Sequence, residues 1–161
     1  MQTFLPYASS TKSAKALDNR RLNKQILEGY QILNVLGNPD PRAAWRNHPA
    51  VLMWRDHEFA LFGYIMSMVE EAKERGIKTD KNEENLWRIH ASNSESWGIG
   101  MPEWWGNDIA MARITTTHKA NLYKKDPSYY WGFVNAVDSD DNKPCCERCN
   151  YYWVTHNLEV A

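Results

Sequence analysis

The fold is decided by one stretch, residues 10–36, whose sequence is STKSAKALDNRRLNKQILEGYQILNVL. Its apolar side chains recur at helical spacing, so that Leu22, Ile26 and Leu33 lie on one side of a helix. Hydroxyl residues can cap its start, and Gly37-Asn38-Pro39 stops its end. The stretch therefore predicts one long first helix over residues 10–36.

Further helices follow along the chain. One is predicted to begin near Pro49, a residue suited to a first helical turn, and to end at Gly76. Another is expected at 107–123, with a shorter helix at 83–91. No segment alternates as a strand does. The sequence therefore predicts an all-α fold: a compact single domain of three main helices plus short helices and an irregular C-terminal tail.

Composition and cysteine usage predict a protein of the reducing cytoplasm. The longest apolar stretch, around residues 59–69, is far shorter than the roughly 20 residues that span a bilayer. Residues 1–8 lack the basic start and apolar run of a secretory signal. The three cysteines crowd together at 145, 146 and 149, so no disulfide framework ties the fold together. We expect no membrane partner.

The formal net charge of −1 hides a division of charge along the chain. Residues 1–55 carry a net charge of +5 and residues 104–125 carry +3, whereas residues 56–103 carry −5 and residues 126–161 carry −4. Such a chain can turn one basic face towards phosphates while staying near neutral overall. Ordinary solvated helix faces would give the same division, so charge alone leaves both possibilities open.

The first predicted helix carries the most informative polar cluster. Arg21, Lys24 and Glu28 are three and four residues apart, which puts them along one helical face. A carboxylate flanked by cations is favoured in its ionised form, as a group that stabilises a cationic sugar intermediate must be. The same cations can hold phosphates. The alternative is an exposed ion pair contributing about 0.3–0.5 kcal/mol.

A second cluster, Trp45-Arg46-Asn47-His48-Pro49, enters the second predicted helix. Asn47 or His48 can cap that helix, and the free N–H groups of its first turn would favour a phosphate nearby. Arg46 would add positive charge. A capping loop that binds no ligand explains the same residues.

A third cluster covers residues 115–125, which hold three hydroxyl residues, a histidine, a tyrosine and three lysines, with no acid. Basic residues interleaved with an aromatic ring suit a nucleic-acid surface, so His118, Lys119, Lys124 and Lys125 are predicted DNA contacts. A solvated helix end is the alternative, and a lone histidine is more often structural than a proton donor.

Two of the cysteines have a spacing that occurs in zinc sites. Cys146 and Cys149 have the CxxC spacing, and His156 follows seven residues later. A zinc site needs four ligands, and spacing alone does not assemble them. The two cysteines are therefore weak candidates only, and free thiols are the default, so no metal site is predicted.

Aromatic residues are more numerous than an average core needs, with eight Trp, eight Tyr and four Phe. Some of these rings are candidates for stacking on bases, although most pack inside. The sequence leaves five indoles open for that role: Trp45, Trp54, Trp97, Trp104 and Trp105.

Several stretches together carry a family resemblance. They are Met1-Gln2-Thr3-Phe4-Leu5-Pro6-Tyr7, Leu17-Asp18-Asn19-Arg20-Arg21-Leu22 with Lys24-Gln25, Trp45-Arg46-Asn47-His48-Pro49-Ala50-Val51 with Met53-Trp54, and Lys125-Asp126-Pro127. In these stretches the chain resembles bacterial and phage proteins of the pyrimidine-dimer DNA glycosylase family and, more distantly, the phage endonuclease of that type. The resemblance covers about residues 1–131 in order.

The resemblance implies a DNA glycosylase that is also an abasic-site lyase. Its nucleophile would be the α-amino group of Met1, assisted by Glu28 as the catalytic carboxylate. An α-amine has a reference pKa of about 7.7–8 against about 10.4 for a lysine, so more of it is neutral and able to form a Schiff base with the sugar. The expected partner is double-stranded damaged DNA, the expected state is a monomer, and no cofactor is implied.

Two departures from the phage endonuclease affect the site. The bulky Gln2 implies that Met1 is retained, whereas the phage chain starts with Thr. The arginines that stand immediately before and three residues after the phage glutamate are replaced here by Leu27 and Gln31. The phosphate contacts would then come from other cations: Arg20, Arg21, Lys24 and Arg46, with Lys119, Lys124 and Lys125 as a second contact.

On this interpretation residues 1–133 form the helical glycosylase-like domain. Residues 134–161 form an acidic, cysteine-containing tail that packs on the domain or extends from it. The favoured substrate is a cyclobutane pyrimidine dimer or another altered pyrimidine. The competing hypotheses are a DNA-binding module that keeps the fold without the chemistry, a glycosylase for a different modified base, and an enzyme that acts on a modified nucleotide.

Overall fold

The structure, a computed structural model, describes residues 1–136 and 151–155. The α-helices in these residues are α1 (Ser10–Ala16), α2 (Asn19–Leu36), α3 (Pro49–Leu52), α4 (Glu58–Glu74), α5 (Asp80–Asn93) and α6 (Asp108–Lys125). Short 3₁₀ helices cover Ser94–Ser96, Glu103–Trp105 and Trp131–Ala136. No strand occurs in the described residues, and the all-α prediction is confirmed.

The centre of the fold is the packing of α2 against α4, with α1 against α4 and α5 against α2. The two central helices approach closely at Gly29, where an added Cβ would lie 2.5 Å from Cγ1 of Ile65. A glycine is therefore needed at this point of α2. Glu28, the residue before Gly29, is buried next to this close contact between the two helices.

The first long helix predicted over residues 10–36 is divided in two. Leu17 has an extended backbone (φ −78°, ψ 142°), and Asp18 caps α2 by accepting a hydrogen bond from the N–H of Arg21. The hydroxyl of Tyr130 accepts from the N–H of Asp18 at 2.9 Å. The prediction of one continuous helix was wrong here because a local cap and a distant residue satisfy groups that the helix would have used.

Arg75, the C-cap residue of α4, stabilises the turn between α1 and α2. Its guanidinium donates to the carbonyl oxygens of Leu17 (2.6 Å), Lys15 (3.0 Å) and Ala14 (3.3 Å). It also pairs with Glu71 at 2.7 Å. Carbonyl oxygens at the end of α1 and at its C-cap thus accept hydrogen bonds from across the bundle, and Ala14 also accepts the N–H of Leu17.

The second predicted helix, 49–76, is also divided, into α3 and α4. Asp56 stands between them with a φ of 65°, which ends helical geometry. Gly98 packs directly on this turn, since a Cβ there would lie 1.8 Å from the carbonyl oxygen of Asp56. At its other end the prediction was right: Gly76 has a φ of 72° and follows the C-cap of α4.

The remaining helices agree with their predictions to within a few residues, as α5 covers 83–91 and α6 covers 107–123 almost completely. Trp54, Trp97 and Trp104 are buried in the core, and Trp105 packs on Trp104 with ring centroids 5.2 Å apart. Within the described part of the chain no helix combines the length and apolar character that a bilayer crossing requires.

Candidate active site

The amino-terminal segment, residues 2–5, is buried although it belongs to no helix. The backbone N–H of Phe4 donates to Oε1 of Gln25 at 2.7 Å, and the N–H of Leu5 donates to Nδ1 of His118 at 2.8 Å. Two helices, α2 and α6, therefore hold the segment through side-chain acceptors. The amino terminus just before it is kept at a defined place beside α2.

Gln25 joins this segment to the carboxylate of Glu28. Its side chain is buried on α2, and its Oε1 also accepts a hydrogen bond from the hydroxyl of Tyr64 at 2.8 Å. Its Nε2 donates to Oε2 of Glu28 at 3.5 Å. One amide thus orients both Phe4 in the amino-terminal segment and the carboxylate one turn away.

Glu28 lies at the wall of a pocket of about 230 Å³. The pocket is lined by Gln2, Phe4, Arg20, Arg21, Lys24, Glu28, Lys125 and Tyr151. The ammonium of Lys24 lies 3.6 Å from Oε1 of Glu28, and its side chain is 64% exposed. The structure therefore brings together five of the predicted site residues, four from α2 and one from the end of α6.

Met1 lines a neighbouring pocket of about 410 Å³ together with Gln31, Asn34, Val35 and Trp45. The three residues from α2 follow Glu28 by three, six and seven positions, so they continue its helical face. Burial, and then the positive charge of the amino terminus, lower the pKa of His48. Met1 and Gln2 thus lie beside successive turns of α2.

Arg21 is engaged within the protein. Its guanidinium donates to Oδ2 of Asp18 at 2.6 Å and lies over the ring of Tyr130, 5.5 Å from the centroid. Burial by itself would raise the pKa of Asp18, but hydrogen bonds from Tyr130 and Arg21 outweigh it and lower that pKa. Arg21 therefore secures the α1–α2 turn as well as lining the Glu28 pocket.

The Trp45–Pro49 cluster lies on the Met1 side of the site. His48 caps α3, since its Nδ1 accepts from the N–H of Ala50 at 3.1 Å, so of the two predicted caps it is the one used. Arg46 donates to the carbonyl oxygen of Asn38 at 2.8 Å, and Asn47 is exposed. Because α3 has only four residues, its N-terminus offers less to a phosphate than the predicted longer helix would have.

The four residues of the third cluster that were predicted to contact DNA do not lie on one surface. His118 has no exposed surface, so it has no face with which to contact DNA, and that prediction is corrected. The ammonium of Lys119 lies over the ring of Tyr7 at 4.6 Å, in a separate pocket that Phe133 also lines. Lys124 and Lys125 are exposed at the end of α6, but only Lys125 lines the Glu28 pocket.

The described part of the tail, residues 151–155, packs onto the amino-terminal segment. The ring of Tyr151 contacts those of Phe4 (centroids 6.1 Å apart) and His118 (5.6 Å). The buried Trp153 contacts His48 at 6.4 Å. The tail therefore supplies one wall of the Glu28 pocket and supports the elements that hold the amino terminus.

The predicted weak metal candidates, Cys146 and Cys149, lie outside the described residues. Among residues 1–136 and 151–155 no group of three or more His, Cys, Asp or Glu side chains is arranged to hold a metal ion.

His118 makes stability depend on pH. Burial lowers its pKa to about 3, from an ordinary 6.5, while the unfolded chain keeps the ordinary value. The unfolded state then binds one more proton between these values, so the free energy of unfolding should decrease as pH falls from 6.5, by about 1.4 kcal/mol per pH unit. Denaturant titrations at pH 7, 6 and 5 measure this slope.

The matched variant is His118→Asn, because the amide oxygen can still accept the N–H of Leu5 but does not titrate. Its stability should decline less steeply with falling pH, the remaining slope coming from groups such as His48, whose pKa is also lowered. Parallel curves for the two proteins would contradict the assignment of this slope to His118.

Sequence reasoning did not assign Gln2, Phe4, Gln25 or Tyr151 to the site. Gln25 stands among apolar positions of α2, and a polar residue on a buried helical face was a signal that it has a partner inside. Tyr151 carried no local signal, since it reaches the pocket only through its contact with Phe4, which is distant in the sequence.

Fold and site together define a class: a small all-α protein with one buried carboxylate in a pocket lined by cations, as suits an enzyme of nucleic acids, and with its first residue in a second pocket along the same helix. A family model described as pyrimidine dimer DNA glycosylase matches residues 1–85, just over half of the 161 residues, and the chain belongs to this family. The match includes the amino-terminal segment and Glu28. Searches of the curated proteins and of the solved structures each returned no match.

Proposed function

We propose that the protein is a DNA glycosylase and abasic-site lyase that excises a damaged pyrimidine, with the cyclobutane pyrimidine dimer as the first candidate lesion. The observation that carries the proposal is the buried segment 2–5. It supports the proposal because Met1, which precedes it, lines a pocket with residues of α2 that follow Glu28 along the helix. Nothing in the folding of a helical bundle requires its first residues to be buried and hydrogen-bonded in this way.

The chemistry follows from these two groups. The neutral amine attacks C1′ of the sugar while the bond to the base breaks, and the base leaves with the bonding electrons and takes up a proton. The attached amine loses a proton, the bond between C1′ and O4′ breaks with its electrons going to O4′, and O4′ takes up a proton, which gives a protonated Schiff base. Glu28 stabilises that positive charge and moves the protons.

Strand cleavage then follows by elimination. A proton leaves C2′, the bond between C3′ and its oxygen breaks, and the 3′ phosphate departs with the electrons. Water hydrolyses the Schiff base and returns the amine. Because the sugar C1′ lies under a stacked base, the duplex is expected to kink and a nucleotide to be extruded.

Cations around the pocket are proposed to hold the phosphates on either side of the reacting sugar. Arg20, Lys24 and Lys125 are exposed and line the Glu28 pocket, and Arg46 is near the Met1 side. Contacts of this kind position the duplex without reading its sequence. Binding should therefore weaken steeply as salt is raised.

Borohydride trapping tests the proposal. The untagged protein is mixed with duplexes that carry one pyrimidine dimer, one abasic site or no lesion, and the imine is reduced to a stable adduct. We expect an adduct on the first two duplexes, and peptide mapping should place it on Met1. An adduct with abasic DNA alone would keep the lyase chemistry and exclude the dimer as substrate. No adduct on any duplex would exclude the Schiff-base mechanism and favour a DNA-binding module.

A further inference from the structure

Trp45 has a backbone conformation that a large side chain rarely adopts. It lies in the loop between α2 and α3 with a φ of 70°. Within the described residues the only other non-glycine residue with a positive φ is Asp56, a type that tolerates this region better. Strained positions of this kind are kept where the surrounding structure or function requires them, and they cluster at binding sites.

The indole of Trp45 faces solvent. Trp45 is 61% exposed, and its ring is tilted against that of His48 with centroids 5.6 Å apart. Of the five indoles that the sequence left open for stacking, the other four are buried or partly buried in the core. A large ring fixed by a neighbour and open on another side is suited to stack on a planar ligand.

The indole also forms one wall of the Met1 pocket. That pocket has about 410 Å³, within the range of small-ligand sites, and it adjoins the Glu28 pocket along α2. Val35 gives it an apolar side, and the amides of Gln31 and Asn34 lie along the helix. The pocket thus combines a stacking surface with groups that can form hydrogen bonds to the edge of a base.

We propose that Trp45 is a stacking platform for an unpaired nucleobase, which occupies the pocket beside Met1 while the sugar reacts near Glu28. This inference rests on the proposed function for its substrate, DNA. The base is either the one opposite the reacting sugar or the one next to it in the strand, and both have the same planar chemistry. Trp45 would then be a specificity-determining residue that favours nucleotides able to leave the duplex.

Four variants separate the ring from the backbone strain. Trp45→Phe keeps a ring, whereas Trp45→Ala and Trp45→Gly remove it. Glycine adopts a positive φ without strain, so Trp45→Gly should unfold at a higher temperature than Trp45→Ala. Trp87→Ala, which removes a 49% exposed indole on α5, is the control for loss of a surface ring.

The assay uses duplexes with a tetrahydrofuran abasic analogue, which cannot form a Schiff base. The fluorescent base 2-aminopurine stands either opposite the analogue or next to it, and its signal changes when it leaves the stack. The wild type should change the signal in one duplex, which identifies the base. Trp45→Ala and Trp45→Gly should bind about tenfold to a hundredfold more weakly and lose the signal change, while Trp45→Phe and Trp87→Ala keep it.

Several results would overturn this proposal. One is that DNA affinity varies with the unfolding temperature of the variants and not with the presence of a ring, so that Trp45→Gly binds DNA as the wild type does. Others are an equal loss in Trp87→Ala, or no signal change with the wild type in either duplex. Because the analogue does not react, failure of the trapping experiment on natural abasic DNA is a separate result that bears on the chemistry alone.

Discussion

Acetylation of the α-amino group of Met1 is expected to abolish borohydride trapping on abasic DNA. An acetylated amine carries no lone pair that can attack C1′, so no Schiff base forms. Binding to a duplex with the tetrahydrofuran analogue should change by no more than a few-fold, because the phosphate contacts are made by other groups. Intact mass confirms the modification, and gel analysis of the reduced complex measures the adduct.

Lys24 is the competing nucleophile for this test. Its ammonium lies 3.6 Å from Glu28, and its side chain is largely exposed. Lys24 also lines the pocket in which the reaction is proposed to occur. A lysine is protonated almost completely near neutral pH, which makes it the weaker choice. Lys24→Gln should bind DNA less tightly and still form an adduct at Met1. An adduct that survives acetylation and maps to Lys24 would show that Met1 is not the nucleophile.

Glu28→Gln is expected to reduce strand nicking by about 10²–10⁴-fold, the usual contribution of a positioned acid–base group. The amide has the size of the carboxylate, so the packing around α2 and the contact with Gln25 should persist. It carries no negative charge and cannot stabilise the cationic intermediate or accept a proton. Single-turnover nicking of an abasic duplex measures the rate, and the tetrahydrofuran duplex measures binding.

The control for this variant is Glu84→Gln on α5, which removes a carboxylate paired with Arg88 at 2.8 Å, away from the site. That exposed pair should matter little for stability or activity. Equal loss of nicking and of DNA binding in Glu28→Gln would count against a catalytic role for Glu28. Such a result would indicate that the residue organises the surface that DNA contacts.

The face of α2 that carries the site was predictable from spacing alone. Arg21, Lys24 and Glu28 were placed together because helical periodicity is a local property of the chain. The contribution of Lys125 was predicted from its type, but its position across the pocket from α2 was not. The α2 residues are three and four positions apart, so local geometry places them together, whereas Lys125 is about a hundred residues away and reaches the pocket only through packing.

His118 shows the opposite case. Its neighbours in the sequence are basic and hydroxyl residues, which suggested a nucleic-acid surface. In the fold its ring is buried between the amino-terminal segment and the tail, where Nδ1 accepts the N–H of Leu5. A ring in the middle of α6 faces inward or outward according to how that helix is rotated against its partners. Local sequence did not determine that rotation.

The sequence by itself determined the all-α class, the approximate positions of the later helices and the carboxylate that faces the cations, since each depends on periodicity within one segment. Only the tertiary structure decided where the two long predicted helices divide, because Arg75, Tyr130 and Gly98 act on backbone groups far away in the chain. It also decided that Gln25 joins the amino-terminal segment to Glu28. Contacts between distant residues form only when the helices pack, and packing selects among the arrangements that local pattern allows.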